Sequence, residues 1–266
     1  MTQSPFEVAS AVTEVGPNRF TATVPDGWQQ GRGAFGGLVL ATLLRAMQRC
    51  EPDPARAVRT LIGDLCGPVL VGPAEIEVVV LRRGANQTNL RAELRQGGEV
   101  LAFAGAVLST PRPVGLPGLR PKIELPSREG AFLVPHDAPL KPVFTKHFDY
   151  EVVGALPFTG GAEPAVTGFI RERVAPSKVD APAIIALLDA YWPAFFTTVT
   201  APRPTATVSF TAEIVGDLGA LDPATPLVYR ARTVCDHEGF QPEQRELFTP
   251  AGELVALNHQ TFVVIK

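Results

Sequence analysis

Position 189 carries a carboxylate where a helix would have no polar side. Ile185 and Ala186 lie one turn before Asp189 and Trp192 one turn after it, in a segment that reads as helical over 181–196. An aspartate on such a face costs several kcal/mol if it is buried without partners, or else takes up a proton. Other groups must therefore converge on it, and carboxylates perturbed in this way concentrate at working sites, where they serve as general bases. The four histidines, His136, His147, His237 and His259, have no spacing that suggests metal ligands or a catalytic triad. No G-x-S-x-G elbow occurs to present a serine nucleophile. Asp189 is thus a candidate for acid–base chemistry, against a fringe position or structural hydrogen bonding, and no metal or cofactor is expected.

A second polar candidate emerges from an internal repeat. Glu93-Leu94 followed by Gly98-Glu99-Val100-Leu101-Ala102 returns as Glu246-Leu247 followed by Gly252-Glu253-Leu254-Val255-Ala256. Each stretch reads as strand, tight turn and strand, one supersecondary unit used twice. Beyond the turn the first copy continues Phe103-Ala104-Gly105-Ala106 and the second Leu257-Asn258-His259-Gln260, so a carboxamide at 260 stands where the first copy has Ala106. His259 then points to the opposite face of its strand.

The elements around these residues also come in two sets. The first half offers strands over 18–24, 57–65, 74–82, 88–96 and 100–109 and a helix over 37–50. The second offers strands over 145–153, 165–174, 205–214, 226–235, 243–248 and 253–264, one more at its start, and the helix over 181–196. Both helices are apolar nearly all round and so are expected to be buried. Asp180 before Ala181-Pro182 suits an N-cap with proline in the first turn. Pro113, Pro117, Pro121, Pro126, Pro135 and Pro139 punctuate 111–142, the expected linker between an N-terminal unit over 1–110 and a C-terminal unit over 143–266. The fold class is α+β.

Bulk properties exclude several partners. A net charge of -3 without a Lys/Arg cluster gives no footprint for nucleic acid or an anionic membrane. No segment approaches the roughly 20 apolar residues of a membrane span, and the N-terminus has no basic region followed by an apolar run, so a cytoplasmic location is expected. Cys50, Cys66 and Cys235 form no CxxC pair and read as buried thiols.

The whole pattern resembles the double-hotdog acyl-CoA thioesterases of the thioesterase II type. The likeness rests on Trp28, on Gly31-Arg32-Gly33-Ala34-Phe35-Gly36-Gly37 leading into the first helix, and on Arg59-Thr60-Leu61. In the second half it rests on Leu187-Leu188-Asp189-Ala190, Ala206-Thr207-Val208 and Leu254-Val255-Ala256 through Gln260. The resemblance implies two fused hotdog units, each an antiparallel sheet around a long buried helix, further self-association into a homo-oligomer through sheets or helices, and acyl-CoA as substrate. It further implies a functional triad of Asp189, Thr207 and Gln260. The first half departs from the triad, with Arg45 expected at the position of Asp189, Ala106 at that of Gln260 and Thr60 at that of Thr207, so one catalytic centre per chain is expected.

Strand alternation alone groups Thr207 with Ser209, Thr211 and Glu213 and turns its hydroxyl to solvent. Gly36 and Gly37 open the first helix, where unpaired N–H groups suit a developing oxyanion, although glycines there equally serve turns and close packing. Phe35, Tyr191, Trp192, Phe195 and Phe196 suit an acyl tunnel or, more simply, a core. Arg32, Arg82 and Arg83 are available to the phosphates of CoA. The implied reaction is hydrolysis with Asp189 as general base, and the competing class is an acyl-CoA binding or sensing protein on the same fold.

Overall fold

The computed structural model describes residues 3–113, 115, 118–119 and 122–265. Pro117 and Pro121 of the proline-punctuated connection lie outside the described residues, as do Met1 and Thr2. The chain runs α1 (Pro5–Ala9), β1 (Thr13–Gly16), β2 (Arg19–Val24), β3 (Gln29–Gln30), β4 (Gly33–Ala34), α2 (Gly36–Arg49), β5 (Ala57–Leu65), β6 (Gly72–Arg83), β7 (Gln87–Gln96) and β8 (Glu99–Ser109). It continues β9 (Phe132–Leu133), β10 (Phe148–Val153), β11 (Ala165–Glu172), α3 (Ala181–Asp189), β12 (Thr205–Ile214), β13 (Leu227–Thr233), β14 (Phe240–Phe248) and β15 (Leu254–Val264). Among the described residues no helix is long and apolar enough to cross a membrane.

Thirteen strands form one sheet in the order β1-β2-β6-β7-β8-β5-β12-β15-β14-β13-β11-β10-β9. The order mirrors itself about the antiparallel junction of β5 with β12, and β1 is the counterpart of β10, so the second half has no extra strand where one was expected. The unmatched strand is β9, which lies in the connection and pairs with β10. The same connection docks on the later half through Ile123, whose N–H donates to Gly252 O at 3.1 Å. Gly252 has φ +80, as does its repeat partner Gly98 at +87, because the tight turn needs the left-handed region. At Gly252 a Cβ would also meet Ile123 O at 2.6 Å, whereas Gly98 faces open space.

Helix α2 packs on β5 to β8, α3 on β11 and β14, and the helices pack most closely on each other. They run antiparallel, since Gly37 at the start of α2 meets Asp189 at the end of α3 while Arg45 meets Asp180 before α3. Leu38, Leu40, Leu43 and Leu44 of α2 are all but fully buried, each worth roughly 2–3 kcal/mol of apolar transfer. One apolar core runs through both halves.

Helix α3 is shorter than its sequence suggests. It ends at Asp189 rather than continuing to 196, because Pro193 can neither donate to the carbonyl four residues back nor avoid clashing with it. The chain turns at Ala190–Pro193 and resumes as a 3-10 turn at Ala194–Thr197. Of the two helices, α2 matches the long buried element expected, with 14 residues against nine in α3. The cysteines also differ from expectation: Cys66 and Cys235 are exposed and only Cys50 is partly covered.

Candidate active site

Asp189 occupies the last turn of α3, the negative end of its own helix dipole, and points at the positive start of α2. Phe35 is the N-cap of α2 and has no side-chain oxygen with which to cap it, so the orphan Gly37 N–H is available to an outside acceptor. Asp189 Oδ2 accepts from it at 2.7 Å. Glycines make the approach possible, because a Cβ on Gly36 would stand 2.9 Å from Asp189 Oδ2 and one on Gly37 would stand 3.0 Å from Ala186 Cα.

The other carboxylate oxygen faces Gln260. An amide oxygen there would set acceptor against acceptor, so the neighbours fix the orientation. Gln260 Nε2 donates to Asp189 Oδ1 at 3.2 Å, and Gln260 Oε1 faces the Arg245 guanidinium, 3.0, 3.1 and 2.9 Å from its Nε, Nη1 and Nη2. Arg245 Nη1 also lies 4.0 Å from Asp189 Oδ1. All three side chains are buried. Burial pushes the Asp189 carboxyl up from its ordinary 3.8 to about 6; Arg245, the Gly37 N–H and the Gln260 amide pull it back down, and Glu243 adds a smaller upward push.

Thr207 reaches this face through an irregularity in β12. Phe210 pairs with Gln260 and Ser209 with Thr261, yet Thr207 pairs with Phe262, leaving Val208 as an extra residue. The bulge shifts the alternation by one, so Thr207 shares the inner face of Gln260 and Phe262 instead of the solvent face that strict alternation predicts. It is half-buried, and among the described residues its hydroxyl makes no hydrogen bond to Asp189 or Gln260. Asp189 and Gln260 are thus in direct contact, and Thr207 stands on the sheet face that Gln260 and Phe262 share.

Strand register defines the counterparts in the first half. Ala106 lies opposite Leu61 as Gln260 lies opposite Phe210, so the sequence pairing of Ala106 with Gln260 is reproduced. Two other pairings change. Val58, paired with Leu108 across a matching bulge, takes the place of Thr207, while Thr60 takes that of Ser209. Counted from the first residue of each helix, Leu44 rather than Arg45 corresponds to Asp189. Arg45 instead pairs with Asp180 at 2.9 Å.

The oxyanion expectation for the two glycines divides. The Gly37 N–H is committed to Asp189, whereas the Gly36 N–H has no acceptor among the described residues. Sequence reasoning missed Glu243 and Arg245 altogether. They lie on the inner face of β14, opposite Gln260 and Asn258. Carrying the repeat three residues back from Glu246-Leu247 would have set them against Leu90 and Ala92 and exposed the contrast.

The aromatic candidates are largely core. Phe35 stacks on Phe144 and Tyr191 on Tyr229, with ring centroids 4.0 and 4.2 Å apart. His259 is exposed, as alternation requires. Arg83 is tied to Cys50 O at the far end of α2, about 20 Å along the helix from Gly37. Arg82 lines a concavity of about 300 Å³ there with Asn86, Asn89 and Arg112, separate from Asp189.

Comparison with known proteins defines the class. The acyl-CoA thioesterase N-terminal domain matches residues 24–110, and the acyl-CoA thioesterase C-terminal domain matches residues 124–264. The chain belongs to the acyl-CoA thioesterase family. Its fold is that of a hot dog protein of unknown function from Alicyclobacillus acidocaldarius, with 22% identity, TM-score 0.90 and coverage of 100% of this chain and 99% of that one. It is similarly close to a putative thioesterase II from Thermobifida fusca, at 21% identity, TM-score 0.85 and the same coverage. An acyl-CoA thioesterase II from Mycobacterium marinum aligns at 19% identity and TM-score 0.74 over 98% of both chains. Among curated proteins nothing matches the chain.

Proposed function

We propose that the protein hydrolyses acyl-CoA thioesters to the free acid and CoA, using a water held by Asp189, Gln260 and Thr207. The observation that carries this reading is the buried Asp189 carboxylate, tied at one oxygen to a helix N-terminus and at the other to Gln260, in the later half alone. Gln260 has two amide hydrogens, and one of them serves Asp189. The second is free to donate to the water, the Thr207 hydroxyl fixes the water from the β12 side, and Asp189 accepts its proton as the oxygen attacks the thioester carbon.

A base at about pKa 6 is ionised at neutral pH yet basic enough to take a proton. The free Gly36 N–H is the candidate donor to the developing oxyanion, a contribution of about 3 kcal/mol. The C–S bond then breaks with departure of a thiolate, whose conjugate acid has a pKa of roughly 8.5, so no strong acid is needed to protonate it. Release of free thiol from short, medium and aromatic acyl-CoAs tests the reading. Turnover of at least one, abolished in D189N, is expected. Binding of non-hydrolysable analogues with no turnover at any chain length would replace the enzyme with a sensor.

A further inference from the structure

Arg245 is fully buried, and its donors are all directed inward. Its Nε donates to Glu243 Oε1 at 2.7 Å, and its Nη1 donates to Leu188 O and Tyr191 O at 2.9 and 3.3 Å, the carbonyls on either side of Asp189. Gln260 Oε1 lies against the face of the same guanidinium, nearly equidistant from its three nitrogens. Glu243 is held in turn by Ala194 N at 2.6 Å and Thr233 Oγ1 at 3.1 Å. Arg245 thus joins the three segments that the site needs: the end of α3, the turn after it, and β15.

The fold does not require this pair. Leu90 and Ala92 stand at the corresponding register positions of β7, opposite Ala106 and Ala104 as Glu243 and Arg245 stand opposite Gln260 and Asn258. The same sheet is therefore built once with an apolar face and once with a buried ion pair. Buried pairs seldom stabilise more than well-packed apolar residues would, so retention at this one place calls for another reason.

We propose that Arg245, with Glu243 as its counter-ion, is the positioning residue of the Asp189 site: it fixes the Gln260 carboxamide with its nitrogen toward Asp189 and clamps the end of α3. The inference rests on the hydrolytic reading of Asp189 and Gln260. Without the guanidinium only the Asp189 carboxylate orients the carboxamide; with it both ends of the amide are held, nitrogen toward Asp189 and oxygen toward Arg245. The cation also faces Asp189 electrostatically. The other titratable groups around that carboxylate are Glu243 from β14 and the neutral phenols Tyr150 from β10, Tyr191 after α3 and Tyr229 from β13, so Arg245 is the cation of the cluster.

The test exchanges the pair for the residues of the first half, E243L/R245A, and reads the Gly37 amide resonance by NMR, since its N–H reports directly on the protonation of Asp189. The midpoint of that titration is expected to rise by about one unit or more, and the acidic limb of the pH profile for thiol release to move with it. R245K keeps the charge but loses the fork. Its Gly37 midpoint should stay within about half a unit of wild type while kcat falls roughly tenfold at unchanged KM, the signature of lost positioning. A folded E243L/R245A with an unmoved midpoint, or R245K with wild-type kcat, would overturn the assignment. If wild type released no thiol from any acyl-CoA, the hydrolytic reading would fall, while the Gly37 titration would still decide whether Arg245 governs Asp189.

Discussion

Replacing Asp189 by Asn should damage activity and shift stability in the variant's favour as pH rises through the range between the unfolded and folded pKa of the carboxyl. The folded carboxyl titrates near 6 against an ordinary 3.8, a gap of roughly two units, so the native state holds its proton more tightly than the unfolded chain does. A group of this sign costs nothing below its unfolded pKa, and its penalty grows as pH rises toward the folded one, reaching about 3 kcal/mol when fully ionised. Asp189 is 5% exposed, so solvent screening does little to reduce this figure.

D189N also carries a constant cost, because its one amide oxygen can accept from Gly37 N–H or from Gln260 Nε2 but not from both, and its amide nitrogen faces the other donor. In the variant-minus-wild-type unfolding free energy that constant is a fixed offset, and only the change with pH reports the carboxyl. The difference should grow in the variant's favour by about 2 kcal/mol between pH 4 and pH 7 and level off above that. Urea unfolding at half-unit pH steps supplies the curve, and thiol release should fall at least about 10²-fold. A flat difference curve would mean that Asp189 is not held against its ionisation, and unchanged turnover would remove it from the mechanism.

G36A should fold but lose at least about tenfold in kcat, because its Cβ would press on Asp189 Oδ2, whereas G37A presses on the Ala186 backbone and should show chiefly a lowered thermal midpoint. Q260A, which installs the residue of the first half, should lower kcat by about 10² and cost about 2 kcal/mol in urea unfolding, since Arg245 is left with unsatisfied donors. T207V keeps the strand shape and should reduce kcat with little change in stability; equal kcat would exclude the hydroxyl from the site. E172Q should be more stable than wild type above pH 7 and equal to it near pH 4. Burial raises the Glu172 carboxyl from 4.5 to about 7, so its penalty appears only as pH climbs through that range, as a pH series of thermal midpoints would show.

Strand positions were legible because alternation and turn glycines are local signals, and β5, β12 and the repeat around Gly98 and Gly252 follow them closely. The pairing of Gln260 with Ala106 was legible for the same reason, since a hairpin repeat fixes register. Thr207 was not, because a single bulged residue inverts every side chain beyond it and leaves no mark in composition. The end of α3 was in plain sight at Pro193, but the apolar run through Phe196 outweighed it. Arg245 escaped because a buried charge on a strand looks like a solvated one until its partners are known.

The restriction to one centre that we propose has a physical basis in how the two helices begin. Antiparallel packing sets the end of each helix against the start of the other, so two equivalent sites are available in principle. At the end that holds Asp189, α2 opens with an N-cap that cannot cap and a second residue, Gly37, whose N–H is free to receive a carboxylate. At its mirror image, α3 opens with Asp180, which satisfies Ala183 N at 2.9 Å by itself, and its second residue is Pro182, which has no N–H to offer. A carboxylate in place of Leu44 would there find no free backbone N–H at the second residue of α3. The cation next to it in sequence, Arg45, is engaged with Asp180 at 2.9 Å. The asymmetry thus lies in the backbone donors at the helix starts as much as in the side chains, and restoring the triad residues to the first half would not by itself create a second centre.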